Sequence, residues 1–104
     1  MEYKNVTASA IANTYFDGKV VSHKITFEDG SSKTLGVMYP GKYHFGTEAA
    51  ERMEVTVGEM TVSIGDSTES HTYSSGSHFD IPSKSSFDVK VDDICQYVCS
   101  YLED

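Results

Sequence analysis

The chain has 104 residues, 23% of them charged and 12% aromatic, which suits one globular domain around one core. Eight basic residues stand against 16 acidic ones, and the net charge of −8 repels nucleic-acid phosphates at long range. A DNA or RNA partner is therefore disfavoured, whereas a small anion is not, because one local cation can hold a phosphate.

The N-terminus, MEYKNVTASAIANT, contains no long apolar run, so neither a signal peptide nor a membrane span is expected. Without a secretion signal, the glycosylation-type triplet Asn5-Val6-Thr7 reads as chance. Residues 1–12 read as an arm, a strand added to a partner, or a short helix. Residues 13–104 read as one all-β domain. The spacing predicts a strand over Lys19–Phe27, a hairpin turn with positive φ at Asp29-Gly30, and a returning strand over Lys33–Tyr39. Pro40-Gly41 makes the next turn. Short strands follow at Tyr43–Phe45, Glu51–Val57 and Met60–Ile64, then a polar loop over Gly65–Ser70. Further strands are predicted at His71–Tyr73, Ser77–Pro82 and Phe87–Val91, and Asp92-Asp93 turns into a last strand over Ile94–Leu102. Many short strands with glycine and aspartate turns indicate a sandwich or small barrel.

The last strand alternates. Cys95, Tyr97, Cys99 and Tyr101 share one face; Ile94, Gln96, Val98, Ser100 and Leu102 share the other. An outward apolar stripe there would suit a homodimer. On a strand rising near 3.3 Å per residue, Cys95 and Cys99 sit about 13 Å apart, too far for a disulfide. They read as two reduced, partly buried thiols of a cytoplasmic protein. His23, His44, His71 and His78 have no paired metal spacing. Ser77, His78 and Asp80 are neighbours on one strand and cannot converge as a triad.

Two stretches resemble the cupin motifs. Glu51 and Gly58 keep a glutamate-to-glycine spacing, but Phe45 and Thr47 stand where the two histidines belong. Gly76 and Pro82 keep the second motif, with Phe87 at the third histidine position. The resemblance thus implies a single cupin-type (jelly-roll) β-barrel from which three metal ligands are missing. The wider wording is more specific. YFDGKV (Tyr15–Val20), TLGVMYPGKYHFGT (Thr34–Thr47), ERMEV (Glu51–Val55), IPSKSSFDV (Ile81–Val89) and YVCSYL (Tyr97–Leu102) resemble the pyrimidine/purine nucleoside phosphorylase family. That resemblance implies a pentosyltransferase. A purine or pyrimidine nucleoside plus orthophosphate would give free base plus pentose 1-phosphate, with no metal and no cofactor beyond phosphate as co-substrate.

Strand alternation offers a check on which residues face inward. If Glu51 does, so do Met53, Val55 and Val57; if Phe45 does, so do Tyr43 and Thr47; Phe87 brings Val89 and Val91. The lining is then apolar and aromatic with a few polar groups, as small-molecule pockets are. Tyr43, Phe45 and Phe87 offer flat faces to any base, with Thr47, Met53, Lys84 and Tyr97 completing the substrate-binding set. Glu51 has two open readings. It is a ribose clamp that stabilises positive charge at the anomeric carbon, or a glutamate at the barrel mouth held by a backbone NH or Arg52. Arg52 has the planar fork that suits phosphate, and with Glu51 it forms the expected catalytic pair. Alternation nevertheless sets it on the opposite face. It could reach a site at a strand end, a bulge or a dimer interface, or be a surface arginine. Lys19 and Lys84 are the next cations, with Ser83, Ser85 and Ser86 as donors near Lys84. The rival function is a metal-free cupin that binds a sugar or nucleotide-like ligand without turnover. A further rival is a metalloenzyme built on Glu51.

Overall fold

The structure is a computed structural model that describes residues 1–102; residues 103 and 104 of the predicted domain lie outside the described residues. Eleven strands form: β1 (Thr7–Ala8), β2 (Asn13–Tyr15), β3 (Val20–Thr26), β4 (Ser32–Met38), β5 (Gly41–Gly46), β6 (Glu51–Val57), β7 (Glu59–Ile64), β8 (His71–Ser74), β9 (His78–Ile81), β10 (Ser86–Val91) and β11 (Cys95–Tyr101). No helix occurs among the described residues.

The strands build two antiparallel sheets. One runs β1-β3-β4-β11-β6-β9, with β2 also paired to β3; the other runs β5-β10-β7-β8. Most connections from β4 onward cross from one sheet to the other, so neighbours in sequence face each other across the core. This is the all-β, cupin-like architecture that the motifs implied. Alternation explains the filling between the sheets. Val20 on β3, Met38 on β4, Met53 and Val55 on β6, and Val89 and Val91 on β10 are all buried in one cluster.

The arm is not helical. Its Thr7–Ala8 piece pairs with Thr26 and Ile25 of β3, and β2 pairs further along the same strand, at Val20 to Ser22. Its apolar residues Tyr3 and Val6 share an outer groove of about 450 Å³ with Leu35, Val37 and Val98. Part of the outward stripe of β11 is therefore met by the chain itself, and Val98 is buried. Tyr3 packs edge-on against Phe27 at 5.8 Å and lies under the Lys33 ammonium.

Two local expectations are corrected. In the Asp29-Gly30 turn only Gly30 takes positive φ. Asp29 instead accepts bonds from the Ser31 backbone (2.9 Å) and hydroxyl (2.6 Å), and the Gly30 amide donates to Phe27. A type I turn followed by a left-handed glycine replaces the expected mirror-image turn. Val57 does not face inward; it is 47% exposed. Gln96 pairs with Val57 but Tyr97 pairs with Val55, so a bulge at Thr56 resets the alternation. The next residue, Gly58, has φ +82°, and a Cβ there would lie 2.9 Å from the Ile94 carbonyl oxygen. Only glycine fits that turn.

Candidate active site

A cavity of about 180 Å³ opens between the two sheets at one end. Three side-chain sets line it.

The first wall is aromatic. Phe45 on β5 and Phe87 on β10 are directly opposite in the ladder, and their rings stack at 5.4 Å and 25°. These are two of the positions where the cupin motifs carry histidines, so stacked phenyl rings stand where imidazoles would converge. Phe16 packs edge-on to Phe45 at 5.4 Å, and Tyr15 does so at 6.2 Å. The turn that delivers them is strained. Phe16 and Asp17 adopt φ of 53° and 57° before Gly18 completes the reversal. Left-handed backbone at a non-glycine residue costs on the order of 1–3 kcal/mol and gathers at functional sites.

The second wall is neutral and polar. Asn13 Nδ2 donates to Ser22 Oγ at 3.4 Å, and Ser22 and Tyr97 line the same cavity. Ser22, Gly36 and Tyr97 are in register across β3, β4 and β11. The Tyr97 ring lies over Gly36, where a Cβ would come within 2.2 Å of it. Burial, first of all, drives the Tyr97 phenol far above its ordinary range, so it stays a neutral donor.

The third wall holds Glu51, the one charged side chain lining the cavity among the described residues. Its Oε1 accepts a bond from Cys99 Sγ at 3.4 Å. Burial raises the carboxyl above its usual range, and the thiol bond pulls it part of the way back. Cys99 is itself pushed up strongly, by burial first and then by the nearby Glu51 charge. Tyr101, half-exposed at the mouth, is raised by burial first and then by its neighbours Cys99 and Glu51.

Of the residues expected from sequence, the structure brings Glu51, Phe45, Met53, Phe87 and Tyr97 to this cavity. Tyr43 lies deeper in the core, 5% exposed, with its hydroxyl donating to the Tyr39 carbonyl at 2.6 Å. Its expected stacking face is covered by Phe16 at 4.9 Å. Thr47 is buried beside the site as a loop clasp. Its hydroxyl donates to Pro82 O (2.7 Å) and accepts from the Ser85 amide (3.0 Å).

Arg52 lies on the face where alternation set it. It sits on the outer face of β6, where Nε and Nη2 grip the Asp80 carboxylate at 2.8 and 3.1 Å. Alternation next to an inward Glu51 forces this, and the cross-strand partner Asp80 fixes it. Lys84 is exposed on the β9–β10 loop and is likewise outside the cavity lining. In one chain neither cation meets Glu51. The glutamate is thus held by a thiol and not by Arg52.

Sequence reasoning missed Asn13, Tyr15, Ser22 and Thr34. β2 is three residues long, too short to carry a periodic signal. Cys99 and Tyr101 were within reach, since the alternation of the last strand had set them on the face of Tyr97. No group of three or more His, Cys, Asp or Glu suited to a metal occurs among the described residues. His44 instead pairs with Asp88 at 2.8 Å on the exposed face of the other sheet.

Comparison with known proteins gives the family and agrees with the fold. A protein of unknown function from Acinetobacter sp. ADP1 superposes with a TM-score of 0.95 at 41% identity, covering 97% of this chain and 98% of that one. The EutQ protein of Clostridium difficile shares the fold alone, with a TM-score of 0.68 at 19% identity over 82% of this chain and 69% of that one. In sequence, a pyrimidine/purine nucleoside phosphorylase of Clostridioides difficile is 50% identical over 103 residues, 99% of this chain and 98% of that protein. One of Colwellia psychrerythraea is 48% identical over 101 residues, 97% of each chain. The family profile described as Pyrimidine/purine nucleoside phosphorylase matches residues 10–101, and the chain belongs to that family.

Proposed function

We propose that this protein catalyses phosphorolysis of purine and pyrimidine nucleosides. The bond between C1′ and the base nitrogen breaks, the base leaves with the electron pair and takes up a proton, and a phosphate oxygen bonds to C1′. The observation that carries this reading is a lone, desolvated carboxylate in an otherwise neutral, ring-lined cavity. As the glycosidic bond lengthens, positive charge builds at C1′, and a carboxylate in a dry site stabilises it more than water does.

The cavity is smaller than the 300–1,000 Å³ or so of pockets that enclose a whole drug-sized ligand. The pentose therefore goes inside, against Glu51, Thr34, Ser22 and Asn13. The base stays at the open mouth beside Tyr15 and Tyr101, which are 46% and 50% exposed. Rings at the mouth read a π face and no particular hydrogen-bonding edge, which supports a broad base range. Orthophosphate meets hydroxyl and amide donors in one chain. A part for Arg52 or Lys84 in holding it belongs to a homodimer in which a cation of one protomer meets its partner's cavity. Two free, buried thiols support a reducing, cytoplasmic setting.

The test is incubation of the pure protein with uridine or inosine, with and without phosphate. Free base is expected only with phosphate. No release above a heat-killed control, across several nucleosides, would overturn the proposal. The absence of a cation among the described lining residues favours one rival, a ligand-binding protein without turnover. Thermal stabilisation by nucleoside or pentose with no base released would select it.

A further inference from the structure

Glu51 stands at the start of β6 with three rotatable bonds, and ordering such a side chain costs up to about 2 kcal/mol of rotamer freedom. Something must hold it toward the cavity. Its hydrogen-bond partner in the structure is the Cys99 thiol at 3.4 Å. That contact follows from the sheet. Tyr101 pairs with Glu51 and Cys99 with Met53 across β11 and β6, so Cys99 and Glu51 are diagonal neighbours on the inner face. On the other side, Thr34 of β4 is directly opposite Cys99. All three side chains line the same cavity.

We propose that Cys99 is a positioning residue for the reaction: its thiol, set diagonally to Glu51 by the ladder register, holds the carboxylate toward the sugar without neutralising it. An arginine or lysine in that place would tie up the negative charge that the transition state needs. A thiol is a weak, neutral donor that fixes direction and leaves the charge in place. The proposal rests on the reading of Glu51 as the working carboxylate. It gives the cysteine no nucleophilic part, because Cys99 is 6% exposed and its thiolate is strongly disfavoured. The other ionisable groups lining the cavity with Glu51 are Tyr97 and Tyr101 of β11, whose phenols burial pushes up, and Tyr15 of β2.

The experiment compares Cys99→Ala, Cys99→Ser and, as a packing control, Cys95→Ala, a buried cysteine outside the cavity lining. In Cys99→Ala, kcat at neutral pH is expected to fall about threefold to tenfold with KM retained, as for loss of one hydrogen bond. The acid limb of the kcat/KM profile moves to higher pH, because the bond that favours the charged carboxylate is gone. Cys99→Ser restores a donor and returns both readouts toward wild type. Cys95→Ala lowers thermal stability and moves neither. In parallel, the Glu51 side-chain carboxyl is titrated by 13C NMR. Its midpoint rises in Cys99→Ala and lies at or below the wild-type value in Cys99→Ser. An unmoved midpoint in folded Cys99→Ala overturns the inference, and so does a raised midpoint in Cys99→Ser should the alanine variant fail to fold. If no nucleoside is cleaved, the functional reading falls with the kinetics, and the NMR titration still decides whether Cys99 holds Glu51.

Discussion

Glu51 and Arg52 are adjacent in the chain, yet they belong to different environments. Glu51 faces the space between the sheets, where burial raises its proton affinity and a thiol is its partner. Arg52 faces outward and shares a forked ion pair with Asp80, whose carboxyl is held low first of all by that hydrogen bond. The outer pair is satisfied and wet, so it is chemically quiet. The inner carboxylate is poorly solvated and has no cation beside it, so it is available to a positive charge that forms in front of it. The two faces of one strand thus separate a structural charge from a reactive one.

The comparison is broken most directly at Glu51. Glu51→Gln keeps shape and removes charge, and kcat is expected to fall about 100- to 1,000-fold, the usual effect of deleting one preorganised electrostatic group. Stability should move the other way. A raised folded-state pKa means that the folded protein holds the Glu51 proton more tightly than the unfolded chain. That contribution is complete below the ordinary glutamate value of 4.5 and is lost as pH rises through the shifted one. Glu51→Gln should therefore melt higher than wild type at neutral pH, with the difference vanishing on acidification; equal melting curves at pH 7 would contradict the desolvated setting.

The rings at the mouth come next. Tyr15→Ala is expected to raise KM for uridine and inosine alike by about fivefold to 100-fold, as loss of a stacking face does. A change confined to one base would mean that Tyr15 reads an edge instead. Gly36→Ala tests the neutral wall. Its new Cβ would lie 2.2 Å from the Tyr97 ring, so the ring must move, and denaturant melts should show a loss of about 1–3 kcal/mol. Arg52→Ala should have the smallest effect, changing kcat/KM by less than about threefold, since one exposed ion pair is lost outside the cavity. A much larger loss would indicate that a partner protomer's cavity uses this cation.

Much of the fold was legible along the chain. The long strands β3, β4, β6 and β11 announce themselves by alternation, and their predicted ends lie within about a residue of those observed. Glu51, Phe45 and Phe87 could be picked out because motif spacing marks positions whatever residue fills them. The Thr56 bulge was not visible, because it depends on which strand β6 pairs with. Tyr15 and Asn13 escaped for a related reason. A three-residue strand becomes part of a site only when β3 offers it an edge to pair with.

The sequence by itself determined the class of fold and the strands that would form it, because these depend on local periodicity and turn residues, and its resemblance to the cupin motifs marked one acid among rings where those motifs carry metal ligands. Only the tertiary structure decided that Glu51 would meet Cys99, that Arg52 would be paired with Asp80, and that Tyr43 would be core while Tyr15 reached the cavity. Those outcomes follow from ladder register between strands far apart in the chain, and no local pattern encodes which residue lies diagonally across a sheet from another.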